Sequence, residues 1–428
     1  MSQRLTVFHL SRPYLRAMTR ARTIADRIAD RLLLLIGSLH LFFLALFYFA
    51  LLFAAAQAQA EEADSCRGEN MLAAMERDNP AQLKEIRKEA AAVENGGALL
   101  WRIGKEGVEP SYLFGTMHLS DPRVTQLPPA AEAAYEAAKI VVIETTDVLD
   151  QSKMTAAMAQ KPELMMFTDG TTLFSLLSDE ERTAVEEALK ARKIPPASVA
   201  KMKPWMLATM VATPACELAR KRAGAPVLDA KLAQDAIAAG KEVGGLESAI
   251  DQLEAMASLP MDFHMRGLVE TLELGDRIND VLETMVQLYL NGETSAFWPF
   301  FRVALPEQSG PEGGFADFEE RLIRARNHTM AENARNFIDR GAAFIAVGAM
   351  HLPGEDGVVA LLREAGYAVE KVEPAPLVGG DSDEHGCKGS AGYAWCAKTG
   401  QCERPWELAQ SQGFENSAEG FRAFCEGE

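Results

Sequence analysis

Two pentapeptides in this chain share four of five residues: Gly115-Thr116-Met117-His118-Leu119 and Gly348-Ala349-Met350-His351-Leu352. Imidazole titrates near neutral pH and is the commonest protein ligand for transition metals, so a repeated histidine points to acid–base or metal chemistry. Each pentapeptide follows an apolar run, Tyr112-Leu113-Phe114 in one case and Phe344-Ile345-Ala346-Val347 in the other. That pattern presents a histidine just past the carboxyl end of a strand, where ligands gather in α/β sheets. The leading glycine lets the backbone turn or approach a ligand closely. A lone histidine at a strand end is usually a hydrogen-bonded structural residue. Repetition shifts the balance: beyond residue 60 there are five histidines, and two of them occupy the matched positions. Glu144 ends a third run, Ile140-Val141-Val142-Ile143, whose continuous β-branched character suits a strand buried on both faces. Were the three strands parallel, their ends would join two imidazoles to one carboxylate. Such a set suits Zn, Mn, Co or Fe. No His-Glu-x-x-His sequence occurs, so the zincin arrangement is excluded.

The elements that must position these groups follow from periodicity and punctuation. Helical spacing runs from Glu69 to Val93 and stops at Asn95-Gly96-Gly97. Strands are expected over Ala98–Ile103 and Ser111–Gly115, with a turn over Gly104–Pro110 between them. A helix over Ala130–Ala138 then leads to the Ile140–Ile143 strand. From about Ser152 to Arg340 the pattern is helical, with a capping box at Ser178-Asp179-Glu180-Glu181 and a proline start at Lys203-Pro204. The helical patterns from Met261 to Leu290 suit packing either inside the fold or against a partner. A strand over Ala342–Gly348, a helix over Asp356–Glu364 and a strand over Tyr367–Val372 complete the pattern. The predicted class is α/β (α+β): a mixed sheet built from two related strand–Gly-x-x-His–helix units. A large helical insertion separates them, and a small disulfide-rich tail follows.

Composition bounds the setting. Residues 1–60 hold seven arginines and two aspartates, then an apolar run from Leu32 to Ala56, then the small-x-small site Ala58-Gln59-Ala60. This reads as a signal peptide, or as an uncleaved anchor, because the run is long enough to span a bilayer at about 20 residues. Either way the remainder is expected outside the cytoplasm, periplasmic or secreted, with membrane contact only through an uncleaved N-terminal segment. Residues 61–428 carry 36 basic and 59 acidic side chains, net −23, a balance that repels nucleic acid. All six cysteines lie beyond residue 60 and four fall in the last 42 residues, the pattern of an exported, disulfide-bonded chain. No Cys-x-x-Cys pair supports a zinc ribbon. The expected division is a main domain over 61–374, a linker rich in Pro, Gly and acids over 375–386, and a cysteine-rich tail over 387–428. Two bridges in the tail would leave Cys66 to pair with Cys216.

The segments Ser111–Val124, Val142-Ile143-Glu144 and Ala346–Gly354 together resemble the TraB/GumN family, and the resemblance runs from about Cys66 to Pro374. Gly245-Leu246-Glu247-Ser248 with Gln252 fits a Leu-Glu-Thr…Gln pattern of that family, serine here replacing threonine. Asp229, and Arg326-Asn327 with Met330, fit others. Taken alone, Glu247, Asp229 and Arg326 would pass for helix-end or solvated charges. One branch of the family is described as metal-dependent proteases. The resemblance therefore implies that His118, His351 and Glu144 bind a divalent metal (Mn, Co or Zn), with a peptide or protein as substrate. By the same token Glu144 is also a candidate base. Arg326 would hold an oxyanion or a substrate carboxylate, and Asn327, Glu247 and Asp229 would orient the groups around them. Fold-level kinship with esterase-like and haem-binding proteins leaves two further readings open. One is a metal-free, histidine-dependent hydrolase; the other is a non-enzymatic binder of a peptide, a pheromone or haem.

Overall fold

The computed structural model describes residues 68–305, 314–373, 383, 385–389 and 392–426. The expected leader, most of the expected linker and Cys66 lie outside these residues. Six strands form one sheet in the order β4–β3–β5–β2–β1–β6. They are β1 (Leu100–Lys105), β2 (Val108–Thr116), β3 (Ile140–Ile143), β4 (Glu242–Gly245), β5 (Ala343–Gly348) and β6 (Ala368–Lys371). β4, β3, β5 and β2 run parallel, while β1 is antiparallel to both its neighbours. The register pairs Thr116 with Gly348, Val142 with Ile345 and Ile143 with Gly245. The carboxyl ends of the four parallel strands therefore share one edge of the sheet.

Nine helices bear on the argument. They are α1 (Pro129–Ala137), α2 (Leu228–Ala238), α3 (Ala249–Ala257), α4 (Met261–Leu274), α5 (Ile278–Leu290), α6 (Ala325–Ile338), α7 (Val358–Glu364), α8 (Pro405–Gln412) and α9 (Ala418–Glu426). Strand residues alternate between two cores. Phe114, Val141, Ile143, Phe344 and Ala346 pack with residues of α1, α2 and α5 on one face. Leu113, Ile140, Val142, Ile345 and Val347 pack with Met330, Ala334 and Ile338 of α6 and Val358 and Leu362 of α7 on the other. Strands β3 and β5 are buried at every position, which is why they read as unbroken apolar runs. Each buried Val, Ile or Phe among them contributes about 1.5–3 kcal/mol by leaving water, so the edge that carries the histidines is rigidly built.

The paired architecture is present: β2 leads through His118 and α1 to β3, and β5 leads through His351 and α7 to β6. Several details differ from the sequence reading. The first helical stretch is two helices, Met71–Asp78 and Pro80–Ala92, because Asn79 ends one and caps the next while Pro80 opens it. The first hairpin is tighter than expected: Lys105 pairs with Val108, and Gly107 at φ 73° makes the two-residue turn. The helical middle contains β4, whose Glu242-Val243-Gly244-Gly245 has no apolar run to announce it. Gly244 is required there because a Cβ would lie 2.5 Å from the Phe337 ring. Helices α4 and α5 pack inside the fold. Leu268 and Leu272 join a separate helical core with Val185, Leu189 and Leu207, and Val281, Val286 and Tyr289 join the sheet core.

In the tail, β7 (Ala394–Cys396) and β8 (Gln401–Glu403) form a hairpin beside α8 and α9. Disulfides Cys387–Cys402 and Cys396–Cys425 tie it together around Leu408 and Phe421. Among the described residues, no helix is long and apolar enough to cross a membrane.

Candidate functional site

His118 stands two residues past β2, Glu144 immediately past β3, Glu247 two past β4 and His351 three past β5. Asp229 sits in the first turn of α2, and Arg326 and Asn327 in the first turn of α6. Hydrogen bonds tie these seven into three groups, and the approach of both imidazoles to Glu144 gathers the groups into one cluster at the carboxyl edge of the sheet. The two motif glycines have different tasks. A Cβ on Gly115 would lie 2.7 Å from Leu352 Cδ1 and 3.1 Å from Ala349 Cα, so this glycine lets the second motif pack against the first. A Cβ on Gly348 would lie 3.2 Å from Glu144 Oε1, 3.4 Å from His351 Cδ2 and 3.6 Å from His118 Nε2. Gly348 thus keeps open the space on which the three groups converge.

Each histidine is held through Nδ1 by an oxygen. His118 Nδ1 is 2.8 Å from Asp229 Oδ2, and the other oxygen of that carboxylate accepts the Thr116 hydroxyl at 2.6 Å. His351 Nδ1 is 2.6 Å from Asn327 Oδ1. The Asn327 amide nitrogen donates to the Asp356 carbonyl at 2.7 Å, which fixes its oxygen toward His351. Both Nδ1 atoms therefore donate. Both Nε2 atoms face one carboxylate oxygen, at 3.9 Å (His118) and 3.8 Å (His351) from Glu144 Oε1. The His118 side chain is 59% exposed and the His351 side chain only 6%. Asp229 beside it, followed by Glu144, raises the His118 imidazole to about 9. Water at the exposed edge screens part of that pull. Burial pushes His351 down to about 4, leaving it neutral at pH 7.

Glu144 is fixed at both oxygens. The Gly348 N–H donates to Oε1 at 2.7 Å, while Arg326 Nη2 and Gln252 Nε2 donate to Oε2 at 2.8 and 3.0 Å. Burial opposes ionisation. The two imidazoles, Arg326 and the Gly348 N–H outweigh it and hold the carboxyl at about 2. Glu247 receives Arg326 Nε at 3.1 Å and also an Nη2 contact, and it accepts Gln252 Nε2 at 2.8 Å. Arg326 Nη1 donates to the Leu322 carbonyl at 3.1 Å. Of the five guanidinium N–H groups, one on Nη1 is left over.

Among the described residues, no group of three His, Cys, Asp or Glu side chains already stands at metal-binding spacing. The donor chemistry nonetheless fits a divalent ion. Two imidazole Nε2 atoms, each backed by an oxygen on Nδ1, face an ionised carboxylate oxygen with a lone pair to spare, and an ion bound there would displace the proton that His118 carries at neutral pH. Sequence reasoning named Gln252 without giving it a role, and it missed Thr116 and the Asp356 carbonyl. Thr116 had a visible signal: it is the one residue by which the two pentapeptides differ, with Ala349 opposite it in the apolar core. The Asp356 carbonyl had none, because any residue type supplies one. His264 is buried on α4, and His328 lies on α6 at 3.8 Å from the Asp356 carboxylate.

Residues 99–371 match the sequence profile of the TraB/PrgY/gumN family. Over 331 residues the chain is 25% identical to a protein named metalloprotease TIKI2 of Danio rerio, covering 65% of this chain and 61% of that protein. It is 23% identical to metalloprotease TIKI1 of Xenopus tropicalis, covering 64% and 61%. It is 24% identical to metalloprotease TIKI1 of Homo sapiens, covering 74% and 70%. The chain thus spans about three fifths of the length of the first two relatives. No solved structure matches it. The profile match takes in well over half of the chain and every residue of the cluster just described, and the chain belongs to the TraB/PrgY/gumN family.

Proposed function

We propose that this protein is a metal-dependent hydrolase that cleaves peptide bonds outside the cytoplasm. One observation carries the reading: two imidazole Nε2 atoms converge on a single oxygen of an ionised, buried carboxylate, each with its Nδ1 already committed to another oxygen. The likeness to relatives named metalloproteases supports peptide hydrolysis. Compartment is supported by the basic and apolar leader and by two disulfides, which persist in oxidising surroundings.

His118 Nε2, His351 Nε2 and Glu144 Oε1 would hold the ion. When bound, such an ion polarises a carbonyl and acidifies a water. Glu144, held at about 2, suits a cation ligand better than a proton acceptor at neutral pH. With four of its N–H groups engaged, Arg326 keeps Glu144 ionised and oriented rather than reaching for an oxyanion. Glu247 balances Arg326, and Asp229 and Asn327 fix the two rings. The exposed face of His118 is where substrate reaches the cluster.

A second reading rests on the same exposed ring. Asp229 and His118 form a carboxylate–imidazole pair that can move protons without a metal. Elemental analysis of the protein without its leader, beside a His118→Ala, His351→Ala double variant, separates the two. Near-stoichiometric metal in the wild type, and none in a folded double variant, supports the metal reading. If the wild type takes up no metal after loading with Mn, Co or Zn, that reading fails and the Asp229–His118 pair takes its place.

A further inference from the structure

We propose that Gln252 is a positioning residue for Glu144: its side-chain amide, and not charge alone, aims Glu144 Oε1 at the two histidines. The inference rests on the reading of the site given above and assigns a role that reading does not use.

The geometry is a double clamp. Gln252 Nε2 donates to Glu144 Oε2 at 3.0 Å and to Glu247 Oε1 at 2.8 Å. Arg326 Nη2 contacts the same two oxygens. Two buried carboxylates therefore share two nitrogen donors, one cationic and one neutral. An amide NH2 group has two N–H donors and both are spent here. Arg326 alone gives two carboxylates one positive charge. A second cation at position 252 would cancel the remaining negative charge, and a carboxylate there would add to the repulsion. An amide supplies both missing donors and leaves the cluster at net −1, the charge a divalent ion favours. Gln252 lies in the first turns of α3, whose start is fixed by a reciprocal Ser248–Asp251 capping box directly after Glu247. The segment from Gly245 to Gln252 thus delivers one carboxylate and the donor that ties it to the other.

With Gln252 in place, Oε2 is held by two side chains and Oε1 by the Gly348 N–H, so the carboxylate plane is set at both ends. Without it, Arg326 alone holds Oε2 and the plane can rotate. The expected consequence is a misaimed ligand, not a lost one. Orienting partners of this kind change metal affinity by about 10- to 100-fold.

The test uses the full chain without its leader and two variants, Gln252→Met and Gln252→Glu. Cobalt(II) titration is expected to give about 10- to 100-fold weaker binding in both, with a melting temperature near wild type in Gln252→Met and a lower one in Gln252→Glu, whose added carboxylate faces Glu144 and Glu247. A field effect predicts the reverse: unchanged affinity in Gln252→Met and tighter binding in Gln252→Glu. That order would overturn the proposal. A second readout needs no metal. The side-chain 15N resonances of His118 and His351 in metal-free protein are expected to shift in Gln252→Met, because the carboxylate facing both rings has moved. Unshifted resonances would refute the positioning role. A wild type that takes up no cobalt would sink the metal reading by itself, and the histidine resonances would still decide the role of Gln252.

Discussion

Replacing Gly348 with alanine should separate folding from function, because only the function needs the glycine. The residue sits at φ −53° and ψ 137°, a conformation alanine adopts without strain. Fewer unfolded conformations should stabilise the variant by about 0.4–1 kcal/mol. Against this stands a methyl group 3.2 Å from Glu144 Oε1 and 3.4 Å from His351 Cδ2, closer than ordinary packing. The two effects are of similar size, so the melting temperature should move by no more than a few degrees. The cost to the site is larger. The same methyl lies 3.6 Å from His118 Nε2, so it fills the space toward which all three donors point. A metal needs each donor at about 2.0–2.2 Å. To admit one, the ligands would have to spread, and an affinity loss of at least about 100-fold is expected, near 2.7 kcal/mol. Calorimetric titration with Co or Zn, beside thermal denaturation of the metal-free variant, reads both quantities. Wild-type affinity in a folded Gly348→Ala protein would refute the placement of the ion between these donors. Gly115→Ala supplies the contrast. Its methyl meets Leu352 at 2.7 Å and Ala349 at 3.1 Å, so overpacking should cost about 1–3 kcal/mol of stability.

Asp229→Asn should keep the fold yet weaken metal binding by about tenfold or more. Thr116 would hold the new amide oxygen, and the amide nitrogen would then force His118 to carry its proton on Nε2; titration reads the loss, and unchanged affinity would contradict it. Acid should destabilise the network around Arg123. The forked Arg123 contact holds Glu283 below its ordinary range, and it does so for Asp121 against the opposing effect of burial. A folded pKa below the unfolded one means a contribution that is complete above about pH 4–4.5 and lost as pH falls through the folded value. Urea midpoints between pH 6 and 3 should therefore fall less steeply in Glu283→Gln than in wild type. The tail bridges span separations of 15 and 29 residues, for which loop entropy gives about 3 and about 3.6 kcal/mol. Reductant should expose the tail to hydrogen exchange while the six-stranded sheet keeps its protection, and a tail still protected when reduced would show that its small core suffices.

Much of this site was legible because its residues sit where sequence periodicity is strongest. Glu144 and His351 follow strands buried at every position, His118 follows one buried over its last four residues, and such stretches announce themselves as apolar runs. Glu247 follows β4, which has no apolar run. Its strand is set by pairing with β3 and by Phe337 lying over Gly244, both contacts from distant parts of the chain. Only the family pattern drew attention to it. Arg326 and Asn327 open a helix whose start carries no side-chain cap, because the backbone enters it already helical, from a wider π-type turn over Glu319–Arg324. Their partners could not be read from spacing. Arg326 meets Glu144 across 182 positions and Glu247 across 79, and such pairings are decided by the fold.

The repeat in the sequence also hides an asymmetry that the structure explains. Identical Gly-x-Met-His-Leu frames end in histidines with unlike surroundings. His118 is exposed and backed by a charged carboxylate, and that carboxylate is itself fixed by Thr116. His351 is buried and backed by a neutral amide. The pairing follows from the burial of the two rings: an ionised partner deep beside His351 would add a fourth buried charge to a cluster that already holds Glu144, Glu247 and Arg326. Asp229 is buried too, but the Thr116 hydroxyl and an imidazole whose ring reaches water meet its charge, so a carboxylate is tolerated there and raises the basicity of His118. The variable residue of the motif records the difference. Threonine appears where a carboxylate must be held, and alanine where the backbone packs against the core. A Thr116→Ala protein should therefore loosen Asp229 and weaken the His118 half of the site while leaving His351 undisturbed. Side-chain 15N shifts that change at His118 and hold at His351 would bear this out, and equal changes at both rings would count against two independently supported halves.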